Sequence, residues 1–123
     1  MPIKLLLLFL FCALTSKTAA EPLSDNEKQS ELVYAMLVAA DWSQTIYISD
    51  HPGTFQELNP LLGEHPSRSK VNALMAADMV GHYLVVKALP KKYRRTFQTS
   101  SVLMRFFVVR RNDRLGIGYS FPF

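Results

Sequence analysis

Three mostly apolar stretches of this 123-residue chain each hold an ionisable side chain near the middle: Asp41 in the first, Asp78 in the second and Arg105 in the third. An isolated charge in a core or in hydrocarbon costs several kcal/mol, and a small domain cannot carry three of them unpaired. The economical arrangement has the carboxylates facing Arg105, which would bring all three segments into contact. Thr45 follows Asp41 by four residues and His82 follows Asp78 by four, so each pair shares a helix face within hydrogen-bonding reach. The sequence therefore predicts an interior cluster of Asp41, Thr45, Asp78, His82 and Arg105. Such a network fixes helix register; its functional counterpart would be a proton-handling or ligand site on perturbed carboxylates.

The punctuation between the stretches predicts helices. Ser24-Asp25-Asn26-Glu27 has the capping-box pattern, and a helix should follow to about Ile48, ended by His51-Pro52-Gly53. Its middle, Leu32 to Ala40, is apolar on every face, which marks a helix buried on most sides or lying in a membrane. The polar run from Asp41 to Ser67 reads mostly as a joint. Asn59-Pro60 has the form of a cap followed by proline in the first helical position, and Gly63 can take the left-handed conformation that stops the turn. With Glu57 before them and Pro66 after, these residues form a structural loop. Ser67 should cap a second helix from Arg68 to Ala88, which Pro90 breaks. The basic run Lys91-Lys92-Tyr93-Arg94-Arg95 reads as a linker to a third helix, from about Thr96 to Val109. Asn112-Asp113 reads as a turn. Beyond it Leu115, Ile117, Tyr119 and Phe121 alternate with small residues, a period of two that predicts a short C-terminal strand.

The first twenty residues have the layout of a secretory signal peptide: Lys4, an apolar run from Leu5 to Leu14, and small residues at Thr18-Ala19-Ala20. Ten apolar residues reach only about 15 Å as a helix, half of a roughly 30 Å bilayer core. Cleavage after Ala20 would remove Cys12, the only cysteine, and with it disulfides, zinc–thiolate sites and cysteine nucleophiles. The expected product is a single all-α domain over residues 21–123, exported to the periplasm or held at the cell envelope. Charge is unevenly spread over it. Residues 21–66 hold eight acidic residues and one basic; residues 67–123 hold eleven basic and two acidic. Either the halves fold against each other or the second offers a basic face to an anionic partner.

Asp41-Trp42-Ser43-Gln44-Thr45 followed by Glu57-Leu58-Asn59-Pro60-Leu61-Leu62-Gly63 gives a D-x-x-x-T … E-x-N-P pattern. It resembles small exported or membrane proteins of bacteria and tailed phages. The resemblance implies an envelope location and a helical architecture, and it carries no activity with it.

Catalytic and metal chemistry find little support. No serine lies in G-x-S-x-G or S-x-x-K, and Gly116-x-Gly118 lacks the third glycine and following helix of a phosphate loop. His51, Glu57, His65 and His82, with Asp41 or Asp78, could supply metal ligands. However, no H-E-x-x-H occurs, and both loop histidines precede proline. The sequence thus predicts no enzyme, no cofactor and no metal. From Lys87 to Arg114 nine basic residues face one acid, with Tyr93, Phe97, Phe106 and Phe107 interleaved. Nucleic acid is a poor partner for an exported protein. An anionic membrane surface or an envelope protein suits Lys91, Lys92, Arg94, Arg95, Arg110 and Arg111 better. The alternatives are a small periplasmic hydrolase using Asp41, Asp78 and His82, or an integral membrane protein of two to three helices.

Overall fold

Helix α1 runs from Asp25 to Asp50, α2 from Arg68 to Ala88 and α3 from Lys91 to Arg114, in a computed structural model that describes residues 21–123. The expected signal peptide and Cys12 lie outside the described residues. Ser24 and Glu27 close the capping box: the Ser24 amide donates to Glu27 Oε2 at 2.7 Å, and the Glu27 amide donates to Ser24 Oγ at 3.3 Å. Ser67 caps α2 by accepting from the Lys70 amide at 3.2 Å.

α1 is the central element, packed against α3 on one side and α2 on the other, while α2 and α3 touch each other little. The alternating directions put the start of α1, the end of α2 and the start of α3 at one end of the bundle. Tyr34, Val38 and Ile46 of α1, Val71 and Met75 of α2 and Leu62 of the loop form the apolar core. Trp42 Nε1 donates to Asn72 Oδ1 at 2.7 Å and ties α1 to α2 near the opposite end. The result is one all-α domain of three helices.

Three local expectations need correction. The basic run is no linker: α3 begins at Lys91, because Pro90 (φ −54°) sets up a first turn and the Lys and Arg that follow are good helix formers. Nor does α3 stop at Val109. Asn112-Asp113 belongs to its last turn, and the stop is Gly116 at φ +76°, with Gly116 and Ile117 amides donating to the Asp113 and Asn112 carbonyls at 3.1 Å each. The C-terminal segment is not a strand; no strand occurs among the described residues. It lies along α1 and α2 instead. Ser120 donates from its amide to the Ser43 carbonyl at 3.1 Å, Ser43 Oγ donates to the Ser120 carbonyl at 2.8 Å, and Asn72 Nδ2 donates to the Pro122 carbonyl at 3.1 Å. Gly118 is glycine for space: a Cβ there would come within 2.8 Å of the Tyr47 ring. The alternation of Leu115, Ile117, Tyr119 and Phe121 records an extended chain that buries Ile117 against helices, with no neighbouring strand to pair with.

Candidate functional site

Arg105 sits at the middle of the bundle and joins all three helices. Its Nη1 donates to Asp41 Oδ2, and its Nη2 donates to Asp78 Oδ2. The Tyr34 hydroxyl completes the clasp. It lies 3.1 and 3.2 Å from the two Asp78 oxygens, to which it donates, and it accepts from Arg105 Nη2 at 3.2 Å. Asp41 is almost wholly buried, while Asp78 keeps part of its side chain open to solvent. Thr45 donates to the Asp41 carbonyl at 2.8 Å, with its hydroxyl 3.5 Å from Asp41 Oδ1. Two carboxylates share one guanidinium and one phenol; burial pushes the Asp41 carboxyl above the usual range, while Arg105 opposes that shift.

His82 lies beside the clasp, with a partner other than the expected Asp78. Its ring stacks between Tyr34 (centroids 3.6 Å apart) and Phe97 (4.9 Å). Nδ1 is 3.0 Å from Glu31 Oε2, and the buried Nε2 has no hydrogen-bond partner. Glu31 also accepts from Gln98 Nε2 at 2.8 Å, so the polar interior continues along α3. At the other end Gln44 accepts from Asn112 Nδ2 at 3.1 Å and donates to Asp113 Oδ1 at 2.9 Å.

Arg94 belongs to this interior and not to the surface expected for it. It is fully buried, and its guanidinium donates to the Leu89, Glu21 and Lys87 carbonyls at 3.0, 2.9 and 3.2 Å, with Glu27 Oε2 at 3.5 Å. Its burial follows from the longer α3. Once the helix starts at Lys91, Arg94, Gln98, Ser101, Arg105 and Asn112 fall on one stripe, and that stripe faces α1. Tyr34, Val38, Asp41 and Thr45 form the matching stripe on α1. Tyr34, Glu31, Gln98 and Gln44 were not singled out from sequence, although Tyr34 stands two turns before Asp41 on the same stripe.

The loop residues form a closed turn. Asn59 Oδ1 accepts from the Leu61 amide at 3.0 Å, its carbonyl accepts from Leu62 and Gly63, and Gly63 takes φ +80°. Pro60 occupies the turn itself, and the Pro66 carbonyl accepts from Ser49 Oγ at 2.7 Å. Glu57 Oε1 accepts from the Asn59 amide at 2.8 Å; partial burial nevertheless pushes its carboxyl above the usual range. Across the loop Arg68 donates twice to Asp50, at 2.8 Å each, and holds the Asp50 carboxyl below that range. His51 and His65 are exposed and lie apart from the Arg105 clasp. Among the described residues no group of three or more His, Cys, Asp and Glu is placed to hold a metal ion.

The exterior inverts this pattern. Leu103, Met104, Phe106 and Phe107 of α3 are exposed, as are Leu32, Val33 and Met36 of α1 and Val80, Tyr83 and Leu84 of α2. Lys92, Arg95, Arg110 and Arg111 are exposed beyond either end of the α3 patch and make no ion pair among the described residues, whereas Lys91 reaches Glu21 at 3.6 Å. No helix of the described residues is long and apolar enough on its own to cross a membrane. No protein-family model, no curated protein and no solved structure matches this chain.

Proposed function

We propose that this is a non-enzymatic protein of the cell envelope that binds an anionic membrane surface through the outer face of α3. The observation that carries the reading is the exposed patch of Leu103, Met104, Phe106 and Phe107, with Lys91, Lys92 and Arg95 before it and Arg110 and Arg111 after it. Contiguous exposed apolar side chains in a small protein mark an interaction surface. Basic residues at both ends favour phosphate headgroups, each near the surface contributing about 1 kcal/mol. An envelope protein with an acidic rim is the other partner class that fits this chemistry. The hydrolase alternative gains nothing from the interior, where Asp41 and Asp78 are both held by Arg105.

Co-sedimentation of the full chain with vesicles tests the reading. Binding should be strong to phosphatidylglycerol-containing vesicles, weak to purely phosphatidylcholine vesicles, and reduced by salt. Phe106→Ser with Phe107→Ser should remove most of it while the helical circular dichroism is kept. Equal indifference to both vesicle types would overturn the proposal.

A further inference from the structure

We infer that lipid contact is not confined to α3: the middle of the bundle is embedded, with hydrocarbon against all three helices and a collar of charge at each end. The inference rests on the membrane reading above and extends it from one face to the whole circumference.

Tyr93 apart, the exposed large apolar side chains of the three helices lie near one level of the bundle; Leu58 and Leu61 of the loop and Leu115, Tyr119, Phe121 and Phe123 of the C-terminal segment are exposed as well. Leu32 and Met36 are each two residues from Tyr34, Val80 and Leu84 are each two from His82, and Leu103 to Phe107 surround Arg105. Tyr34 joins the other two, stacking on His82 and accepting a hydrogen bond from Arg105. Around that level Met36 is 65% exposed, Val80 59% and Met104 67%, so each helix turns a large apolar side chain outward. The interior at the same level is ionic: Asp41 and Arg105, with Glu31 and Gln98 beside them and the half-buried Asp78 at its edge. Water favours the opposite arrangement. In a bilayer, ionisable side chains turn to the bundle interior and pair with one another, while apolar ones face lipid.

Charge placement along the helices agrees. Between Glu31 and Asp50, Asp41 is the sole Asp, Glu, Lys or Arg; between Lys70 and Lys87 it is Asp78, and between Arg95 and Arg110 it is Arg105. These intervals measure about 28, 26 and 22 Å at helical rise. A hydrocarbon core is about 30 Å thick, and Lys or Arg at its margins can reach the headgroups. Lys87, Lys91, Lys92 and Arg95 form one collar; Arg68, Lys70, Arg110, Arg111 and Arg114 form the other. No helix alone is apolar enough to cross, because each carries its own charge and polar stripe. Assembled, the three helices turn those stripes toward one another. A protein partner or a second copy would cover one face; a surround of lipid covers all three.

Residues 21–123 contain no cysteine, so the full chain with Cys12→Ser is a clean background for spin labels. Single labels at Met36→Cys, Leu84→Cys and Met104→Cys, all exposed positions, would be compared with one at Ser69→Cys in phosphatidylglycerol–phosphatidylethanolamine vesicles. The ratio of oxygen to nickel-chelate collision rates should rise several-fold at the first three and stay low at Ser69. A rise at Met104 alone would overturn the embedding and leave surface docking by α3 intact. No rise at any position would overturn both readings. Labels shielded from both reagents at Met36 and Leu84 would assign those faces to a protein partner and overturn the lipid surround.

Discussion

Arg94 and Arg105 stand on the same inward stripe of α3, about three turns apart, and the molecule satisfies them in different ways. Arg105 is held by side chains: two carboxylates and a phenol from α1 and α2. Arg94 is held mainly by main-chain carbonyls at the end of α2 and in the segment before α1, with Glu27 at the edge of reach. The last carbonyls of a helix lack internal donors and carry the negative end of its dipole, so they receive a guanidinium well. One arginine fastens helices by charge; the other fastens chain ends by hydrogen bonding. A buried guanidinium can therefore take most of its hydrogen bonds from main-chain carbonyls and still keep a carboxylate, Glu27, at 3.5 Å.

The largest expected effect comes from Arg105→Met, which strands two carboxylates and should destabilise by about 3–5 kcal/mol in urea unfolding. A loss below about 1 kcal/mol would mean that the carboxylates find water on their own. In a double-mutant cycle with Asp41→Asn, the combined loss should fall short of the sum by about 0.5–3 kcal/mol, as expected for groups in contact. Strict additivity would break the clasp as described.

Lysine substitutions sharpen the contrast. Arg94→Lys should cost about 1–3 kcal/mol, because one ammonium cannot serve carbonyls that the planar guanidinium reaches together. Arg105→Lys keeps the charge its carboxylates need, so lysine should recover a larger share of the methionine loss at 105 than at 94. The reverse ranking, read from the same unfolding curves, would show that charge matters more at Arg94.

Smaller effects belong to the loop. Asn59→Ala should lose about 1 kcal/mol and Asn59→Asp little, since aspartate keeps the oxygen that accepts from Leu61. Glu57 and Asp50 should oppose each other with pH. The folded state raises the Glu57 pKa, so its stabilising contribution is present in acid and is lost as pH rises through the folded value. The Asp50 pKa is lowered, so its contribution is present above the ordinary carboxylate value and is lost as pH falls. Glu57→Gln should therefore be no less stable than the parent at neutral pH and lose more steeply on acidification. A variant that is less stable at pH 7 would show that the Glu57 charge is itself favourable.

Much of the architecture was legible because local rules decide it. Ser24 and Ser67 mark helix starts through side-chain caps, Asn59 with Gly63 shapes the turn between α1 and α2, and Pro90 separates α2 from α3. Asp41, Asp78 and Arg105 stood out because charges in apolar stretches need partners. Arg94 did not, because it sits in a basic run of identical appearance, and only the true start of α3 places it inward. Spacing pairs His82 with the nearest carboxylate along its own helix, whereas packing offers Glu31 from α1 and two aromatic faces. The C-terminal alternation was genuine, but an alternating chain says only that it has two faces.

The sequence by itself determined three helices, the side-chain caps of the first two and the presence of costly charges in their middles, since these depend on neighbours three or four residues away. Which further residues of α3 join Arg105 on the inward side was left to tertiary structure. The polar stripe of α3, from Arg94 through Arg105 to Asn112, and its apolar flank at Leu103, Met104, Phe106 and Phe107 are equally regular along the chain. Two carboxylates and a phenol supplied by α1 and α2 drew the polar stripe inside, because a charge separated from its partner costs more than an apolar side chain left outside.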